Sequence, residues 1–368
     1  MSHIKPIAIY LPQFHPIPEN DKWWGKGFTE WNNVTKTKPR FEGHYQPHLP
    51  ADLGFYDLRL EEARLAQEQL AKKYGVHGFC YYHYWFNGKK LLHEPLDRKL
   101  KNPKEDLPFM MCWANENWTR AWDGLDKEVL LKQDYSFDDD EAHIQYLISF
   151  FKDDRYIKVE GKPVFIIYRP NFFSDIQKTI KIWRKAVQEA GFPDIYLGYS
   201  QSVENQFSPK SMGFDFAFEF QPNFGVQSKR ISYGITKIKK LKHKFKVLLG
   251  YRIKKKLGIK LDRFDSYQDY DSYGKTQQTI GFKNDVYPGI TPMWDNSARR
   301  KDPFILHDST PEKYKSWLSH IKENYPWNTV PENFLFINAW NEWAEGNHLE
   351  PCQKWGTAYL EATKDALK

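Results

Sequence analysis

Two glutamates three residues apart, Glu342 and Glu345, stand in the segment Asn338-Ala339-Trp340-Asn341-Glu342-Trp343-Ala344-Glu345-Gly346. The apolar run Phe334-Leu335-Phe336-Ile337 before them reads as a buried strand, and Gly346 ends the segment as a turn residue would. Positions i and i+3 of an extended strand point to opposite faces, whereas in a turn or first helical coil they share one. A bend after the strand therefore brings both carboxyls into one pocket, with a tryptophan beside each. Carboxyl pairs next to aromatic planes suit the cleavage or formation of a glycosidic bond, one group handling a proton and the other acting as nucleophile or base. A bare Glu-x-x-Glu is ordinarily two solvated side chains; the tryptophans, the strand and the glycine weigh against that here. An acid working near neutral pH needs its pKa raised, by burial against tryptophan or by a second carboxylate. Glu345 is the candidate for that group.

Strand-like runs recur at the intervals a repeated βα unit gives: Ile7–Leu11, Gly78–Tyr82, Phe109–Trp113, Val164–Tyr168, Ile195–Tyr199, Phe214–Phe220, Gly289–Met293 and Phe334–Trp340. Helical patterns lie between most of them, at Leu58–Tyr74, Asp140–Phe151, Ile176–Ala190, Pro311–Asn324 and Gly356–Leu367. Eight strands alternating with helices predict an α/β fold, a single (β/α)₈ TIM barrel over residues 1–368, with long loops at the C-terminal face of the strands.

Barrel active sites form from those loops, and polar and aromatic residues concentrate in them. Tyr10, Gln13, His15, Trp24, Glu30 and Trp31 follow the first strand; His83, Tyr84 and Trp85 the second; Trp113, Asn115, Glu116, Trp118 and Arg120 the third. Tyr168 closes the fourth, Glu219 the sixth, and Trp294 follows the seventh. Trp340, Asn341 and Trp343 accompany the glutamate pair. These are the expected substrate-binding residues. Glu116 has a competing reading as an ion-pair partner of Arg120 four residues on, and His83 and His15 as hydrogen-bonded strand-end histidines.

Aromatic residues form 17% of the 368-residue chain, with 14 Trp and 22 Tyr, and such rings suit the C–H faces and hydroxyls of sugars. No run of eighteen apolar residues suggests a membrane span. The N-terminus lacks the apolar run and cleavage site of a secretory signal, so a cytoplasmic location is expected. Cys80, Cys112 and Cys352 are too few and too scattered for a disulfide framework or zinc cluster. The chain carries no Gly-x-Gly-x-x-Gly or Walker loop, and Asp138-Asp139-Asp140 reads as a helix N-terminus rather than a metal motif. No metal or cofactor is expected.

Charge is uneven. Thirteen Lys and Arg and no Asp or Glu lie between Lys229 and Lys260, inside a basic excursion placed at 229–285, although the whole chain is only +7. Lysines spaced among Ile, Leu, Phe and Val suit a basic amphipathic helix on an anionic membrane, peripheral to its inner face and near a lipid-linked glycan. A solvated excursion is the competing reading. No accompanying fold motif supports nucleic acid as a partner.

Tyr10-Leu11-Pro12-Gln13-Phe14-His15, Trp23-Trp24-Gly25-Lys26-Gly27-Phe28-Thr29-Glu30-Trp31, His44-Tyr45-Gln46-Pro47, Gly75-Val76-His77-Gly78-Phe79, Trp113-Ala114-Asn115-Glu116-Asn117-Trp118 and Asn341-Glu342-Trp343-Ala344-Glu345-Gly346 resemble the WbsX-type family of bacterial surface-polysaccharide synthesis. That family's domain in turn resembles glycoside hydrolase family 99. The resemblance covers nearly the whole chain and is weakest from about Lys229 to Asp285. It implies a metal-free (β/α)₈ barrel and a retaining endo-acting mechanism on an α-mannose-like oligo- or polysaccharide. By resemblance, Glu342 takes the proton from the sugar's own 2-hydroxyl, whose oxygen attacks the anomeric carbon to give a 1,2-anhydro sugar. Glu345 is then general acid for the leaving oxygen and base for the incoming one. Ala344 departs from the family 99 pattern, which usually has histidine there, so the hydrolase's own substrate does not transfer. Three functions follow: a retaining endo-glycosidase or transglycosylase; a glycosyltransferase of O-antigen, capsule or other surface polysaccharide; and a non-catalytic glycan-binding barrel.

Overall fold

The computed structural model describes residues 3–120, 125–229 and 266–368. Nine parallel strands form a nearly closed barrel: β1 (Lys5–Tyr10), β2 (Gly78–Phe86), β3 (Phe109–Trp113), β4 (Lys162–Ile167), β5 (Tyr196–Gln201), β6 (Phe216–Glu219), β7 (Val286–Tyr287), β8 (Gly289–Ile290) and β9 (Phe334–Ile337). Their apolar runs are buried along almost their whole length, as parallel strands covered on both faces must be. Closure comes from β9, which pairs with β1 at Lys5↔Phe334 through Ala8↔Ile337 and with β8 at Gly289↔Phe336.

The expected (β/α)₈ architecture is observed, with one departure. The seventh strand, expected at Gly289–Met293, is two short pieces either side of Pro288, whose nitrogen carries no hydrogen to give to a ladder. β7 pairs with β6 and β8 with β9, so the break is the corner at which the sheet turns to close. Gly289 is required there, because a Cβ would lie 1.7 Å from the Glu219 carbonyl oxygen.

The outer layer consists of α1 (Glu61–Lys73), α2 (Glu94–Lys101), α3 (Phe137–Phe151), α4 (Ile176–Glu189), α5 (Tyr270–Ile280), α6 (Pro311–Asn324) and α7 (Ala358–Leu367). Sequence pattern did not show α2 or α5. The last part of the stretch read as a basic excursion is thus a regular helix, α5, begun by the Asp269 carboxylate, which accepts from Ser272 N. The lysine-rich stretch beyond Lys229 lies outside the described residues. The three aspartates do open a helix, α3, whose Ser136 cap accepts from Asp139 N. Cys80, Cys112 and Cys352 are free and buried. No helix among the described residues is long and apolar enough to cross a membrane.

Candidate active site

Two asparagines set the glutamates that follow them. The Asn341 side chain accepts from Leu11 N (2.7 Å) and donates to Leu11 O (3.0 Å). It thereby imitates a peptide unit and ties the end of β9 to the end of β1. Asn115 does the same between β3 and β4, accepting from Arg169 N (2.7 Å) and donating to Arg169 O (2.9 Å). Both amides are fully buried. They are structural ties, and Glu342 and Glu116 are what they position.

After Glu342 the chain makes a single 3₁₀ turn, Trp343–Glu345, ending at Gly346 with φ 52°. That left-handed conformation is cheap only for glycine, and a Cβ there would lie 2.9 Å from both the Cβ and carbonyl oxygen of Asp295. The turn brings the two carboxyls onto one guanidinium. Arg299 lies 3.0 Å from Glu342 Oε2 and 3.1 Å from Glu345 Oε1, and it also contacts Glu30 Oε1. Glu30 Oε1 additionally accepts from Ala344 N (3.2 Å). Three carboxyls from the β1 and β9 loops thus meet one arginine from the loop after β8.

That arginine is held firmly. Asp295 accepts from His44 Nε2 (2.6 Å) and Gln46 Nε2 (2.7 Å) through one oxygen and from Ser297 N (3.0 Å) through the other. Burial works against its charge, but the His44 contact and these hydrogen bonds keep it below the usual carboxylate range. Arg40 donates to the carbonyls of Ser297, Arg300 and Lys301, clamping the same loop from the β1 side.

Burial pushes the Glu342 carboxyl up to about 8; Arg299 pulls it back, and Glu345 and Glu30 raise it again. Glu345 is raised too, first by burial, with Arg299 opposing. The cause is simple: three carboxylates around one cation would leave two excess negative charges in a low-dielectric pocket, so the cluster retains a proton. The expectation singled out Glu345 as the raised group; burial raises both carboxyls. The Glu345 side chain is 21% exposed against 6% for Glu342, making Glu345 the more accessible of the two.

A row of rings passes this cluster. Centroids step from Trp23 to Trp118 (5.8 Å), to Tyr84 (5.3 Å), to Tyr82 (6.5 Å), to Tyr168 (6.1 Å) and to Phe220 (5.4 Å). Tyr84 feels the charges of Glu342, Arg299 and Glu30, and Tyr82 those of Glu342 and Glu345. At one end, Arg169 pairs with Glu116 Oε1 (2.8 Å), bonds Ser202 Oγ (2.9 Å) and lies over Tyr168 at 4.5 Å. Glu116 therefore pairs with Arg169 and not with Arg120, which pairs with Glu128 (2.7 Å) and lies 5.8 Å from the Trp24 ring.

Several expected site residues lie elsewhere. Strand alternation turns Tyr82 and Tyr84 toward the carboxyls and His83 and Trp85 away from them, onto α3. His83 Nε2 sits 2.9 Å from His143 Nε2, with burial lowering its pKa to about 3, and Trp85 Nε1 donates to Asp139 (2.9 Å). Trp113 packs in the same outer layer against His143 and Trp183. Tyr10 is in the core, its hydroxyl donated to Gln67 (2.6 Å). Trp340 and Trp343 are 0% and 1% exposed, so the tryptophans expected beside each glutamate face inward. Trp31 and Trp294 are buried as well, and Trp31 Nε1 is given to Tyr56 O. Burial raises the Glu219 carboxyl to about 7, with the Gly289 backbone and Lys283 opposing. Gln13 and His15 are buried in the β1 loop, His15 lowered to about 4 by burial. Sequence reasoning missed Arg299, Tyr82 and Arg169. Arg299 sits in the basic run Arg299-Arg300-Lys301, which looks like a solvated patch. Among the described residues no cluster of His, Cys, Asp or Glu is arranged to hold a metal ion.

The parallel barrel gathers these carboxyls over its C-terminal face, where barrel active sites form. It superposes with a TM-score of 0.61 on a solved glycoside hydrolase-like protein, at 13% identity over 100% of this chain and 95% of that one. The TM-score is 0.56 for the family 99 endo-alpha-mannosidase of Bacteroides thetaiotaomicron in complex with bis-tris-propane, at 12% identity over 98% and 96%. The family profile described as Glycosyltransferase WbsX matches residues 6–363, and the chain belongs to that family. Two Xanthomonas campestris pv. campestris relatives, both named uncharacterized protein WxcX, are 42% identical (strain ATCC 33913) and 40% identical (strain B100) over 98% of this chain. The chain spans about half the length of these relatives, 49% of each.

Proposed function

We propose that the cleft around Arg299 acts internally on an α-linked, mannose-like bacterial polysaccharide, as a retaining endo-glycosidase or transglycosylase with Glu342 and Glu345 as the working pair. The convergence of both carboxyls on one buried guanidinium supports this reading. Burial makes Glu342 a stronger base than a free carboxylate, as removal of a hydroxyl proton demands; the proton that the coupled pair retains sits on Glu345 in the reacting form, which leaves Glu342 ionised. In the first half, Glu342 takes the proton of the sugar 2-hydroxyl as its oxygen bonds to the anomeric carbon. The bond to the leaving oxygen breaks, and Glu345 supplies that oxygen with its proton. In the second half, water or an acceptor hydroxyl bonds to the anomeric carbon and gives its proton to Glu345. The anhydro ring opens, and the 2-oxygen recovers its proton from Glu342. Tyr82, Tyr84, Tyr168 and Trp118 supply ring faces for the sugars on either side. The 3₁₀ turn supports this reading, since residues three apart across it share one face.

The family's description favours a second reading, a glycosyltransferase of surface-polysaccharide assembly using the same cleft. A lipid-linked acceptor would then give the lysine-rich stretch from Lys229 to Lys260 a partner. The deciding experiment is product analysis after incubation with α-mannans and bacterial polysaccharides without nucleotide sugar, alongside Glu345→Gln. Oligosaccharides from the parent protein and not from the variant support the glycosidase. Elongation only with a nucleotide sugar and a lipid-linked acceptor moves the assignment to transfer. Glycan affinity that survives loss of both glutamates, with no turnover on any glycan, leaves a binding barrel.

A further inference from the structure

Directly beneath the working pair lies another glutamate, Glu350, 2% exposed. Its Oε2 accepts from Trp343 Nε1 and from Tyr56 OH, both at 2.7 Å, and its Oε1 from Gln67 Nε2 at 2.7 Å. All three donors are neutral. Gln67 in turn accepts from Tyr10 OH (2.6 Å), and Tyr56 OH receives Asn341 Nδ2 (3.3 Å). Trp343 opens the 3₁₀ turn, the first of the two residues between the site glutamates, and His348 stacks on its indole at 3.8 Å. One carboxyl therefore holds the indole that opens the turn directly, and the asparagine two residues before it through Tyr56.

We infer that Glu350 is a positioning residue for the Glu342–Glu345 pair: it fixes the Trp343 indole from below and so sets the spacing and aim of the two carboxyls above. A carboxyl buried with no cation among these partners is an expensive way to fill a core. Its geometry explains the retention, since a planar group accepting three hydrogen bonds on two oxygens fixes an indole, a phenol and an amide at once. The inference rests on the proposed working pair for its kinetic arm alone.

The same geometry separates hold from charge. A glutamine at 350 keeps one oxygen for Trp343 and Tyr56 and presents its amide to Gln67. Gln67 then flips to accept it, and the Tyr10 hydroxyl turns to accept from Gln67. Glu350→Gln therefore keeps the hold and loses the charge, whereas Glu350→Leu loses both. The first readout is independent of turnover: the indole N–H resonance of Trp343 in ¹⁵N-tryptophan-labelled protein, assigned with Trp343→Phe. That resonance stays hydrogen-bonded and protected from exchange in Glu350→Gln and becomes exchange-exposed in Glu350→Leu. The second is kinetic, on whichever glycan the parent enzyme processes: kcat within about tenfold for Glu350→Gln and at least 100-fold lower for Glu350→Leu, with KM little changed in both. An indole N–H equally protected in all three proteins overturns the inference, as does a protected indole in Glu350→Gln with kcat as low as in Glu350→Leu. If the parent protein turns over no glycan, the proposed function fails while the indole readout still decides the hold.

Discussion

Replacing Glu342 by glutamine should stabilise the protein above neutral pH while abolishing its turnover. Glutamine imitates the protonated carboxyl, so at low pH variant and parent have nearly the same stability. In the unfolded chain Glu342 ionises near its ordinary value of 4.5, whereas in the folded chain it does so only at about 8. A raised folded-state pKa means that the native state binds more protons between those limits. The stability contributed by that proton is present below 4.5 and is lost as pH rises through 8. The loss is about 1.4 kcal/mol per pH unit, on the order of 5 kcal/mol across the window, which for a chain this long is roughly 6 °C in Tm. Glutamine does not titrate, so the difference in Tm between Glu342→Gln and parent should grow from near zero at pH 5 to several degrees at pH 8.5. Five buried histidines held below their usual range, His15, His48, His83, His143 and His348, also change stability with pH. They are common to both proteins and cancel in the difference. Differential scanning fluorimetry at half-unit steps is sufficient. A difference that is flat with pH, or that favours the parent at pH 8.5, would refute the assignment of a retained proton to Glu342.

Arg299→Met should leave three buried carboxyls without their cation, lowering the unfolding free energy more at pH 8.5 than at pH 5.5, by an amount on the order of 3 kcal/mol in chemical denaturation. On the glycan identified by product analysis, its kcat/KM should fall at least 100-fold near pH 7 and recover in part as pH rises, because loss of the cation raises Glu342 further. Gly346→Ala should cost about 1–3 kcal/mol in chemical denaturation, from a positive φ and the approach to Asp295; an unchanged midpoint would show that the turn relaxes freely. Tyr84→Ala, which removes a ring from the middle of the row, should weaken glycan binding about tenfold by calorimetry while leaving the midpoint of unfolding within about 1 kcal/mol.

The barrel was legible because parallel strands and amphipathic helices announce themselves by period. Phe334-Leu335-Phe336-Ile337 could be little else, and Pro311–Asn324 came out with the bounds its pattern gave. The failures have specific causes. Glu94–Lys101 is only eight residues long and strongly charged, too short for periodicity to declare itself. Tyr270–Ile280 follows the basic stretch and is rich in Gln, Ser and Thr, so its apolar face is narrow. At Pro288 the sequence does carry the signal, since a proline inside a strand pattern marks a break.

The site divides along a different line. Residue type and spacing showed that Glu342 and Glu345 would converge if the chain turned, and Gly346 showed that it would. Direction of side chains was the missing quantity. Trp343 follows Glu342 by one residue and yet points into the core, because neighbours in a 3₁₀ turn lie a third of a turn apart and only residues three apart share a face. His83 and Trp85 were lost to the same cause on β2, where alternation sends every second residue outward. Arg299 shows the converse limit. Nothing in Arg299-Arg300-Lys301 distinguishes a buried hub from a solvated charge run, because the distinction lies in what the β1 and β9 loops bring to it. Those loops bring three carboxyls. A cation meeting three carboxyls cannot neutralise them all, and the proton left over is what separates an acid–base pair from a structural salt bridge.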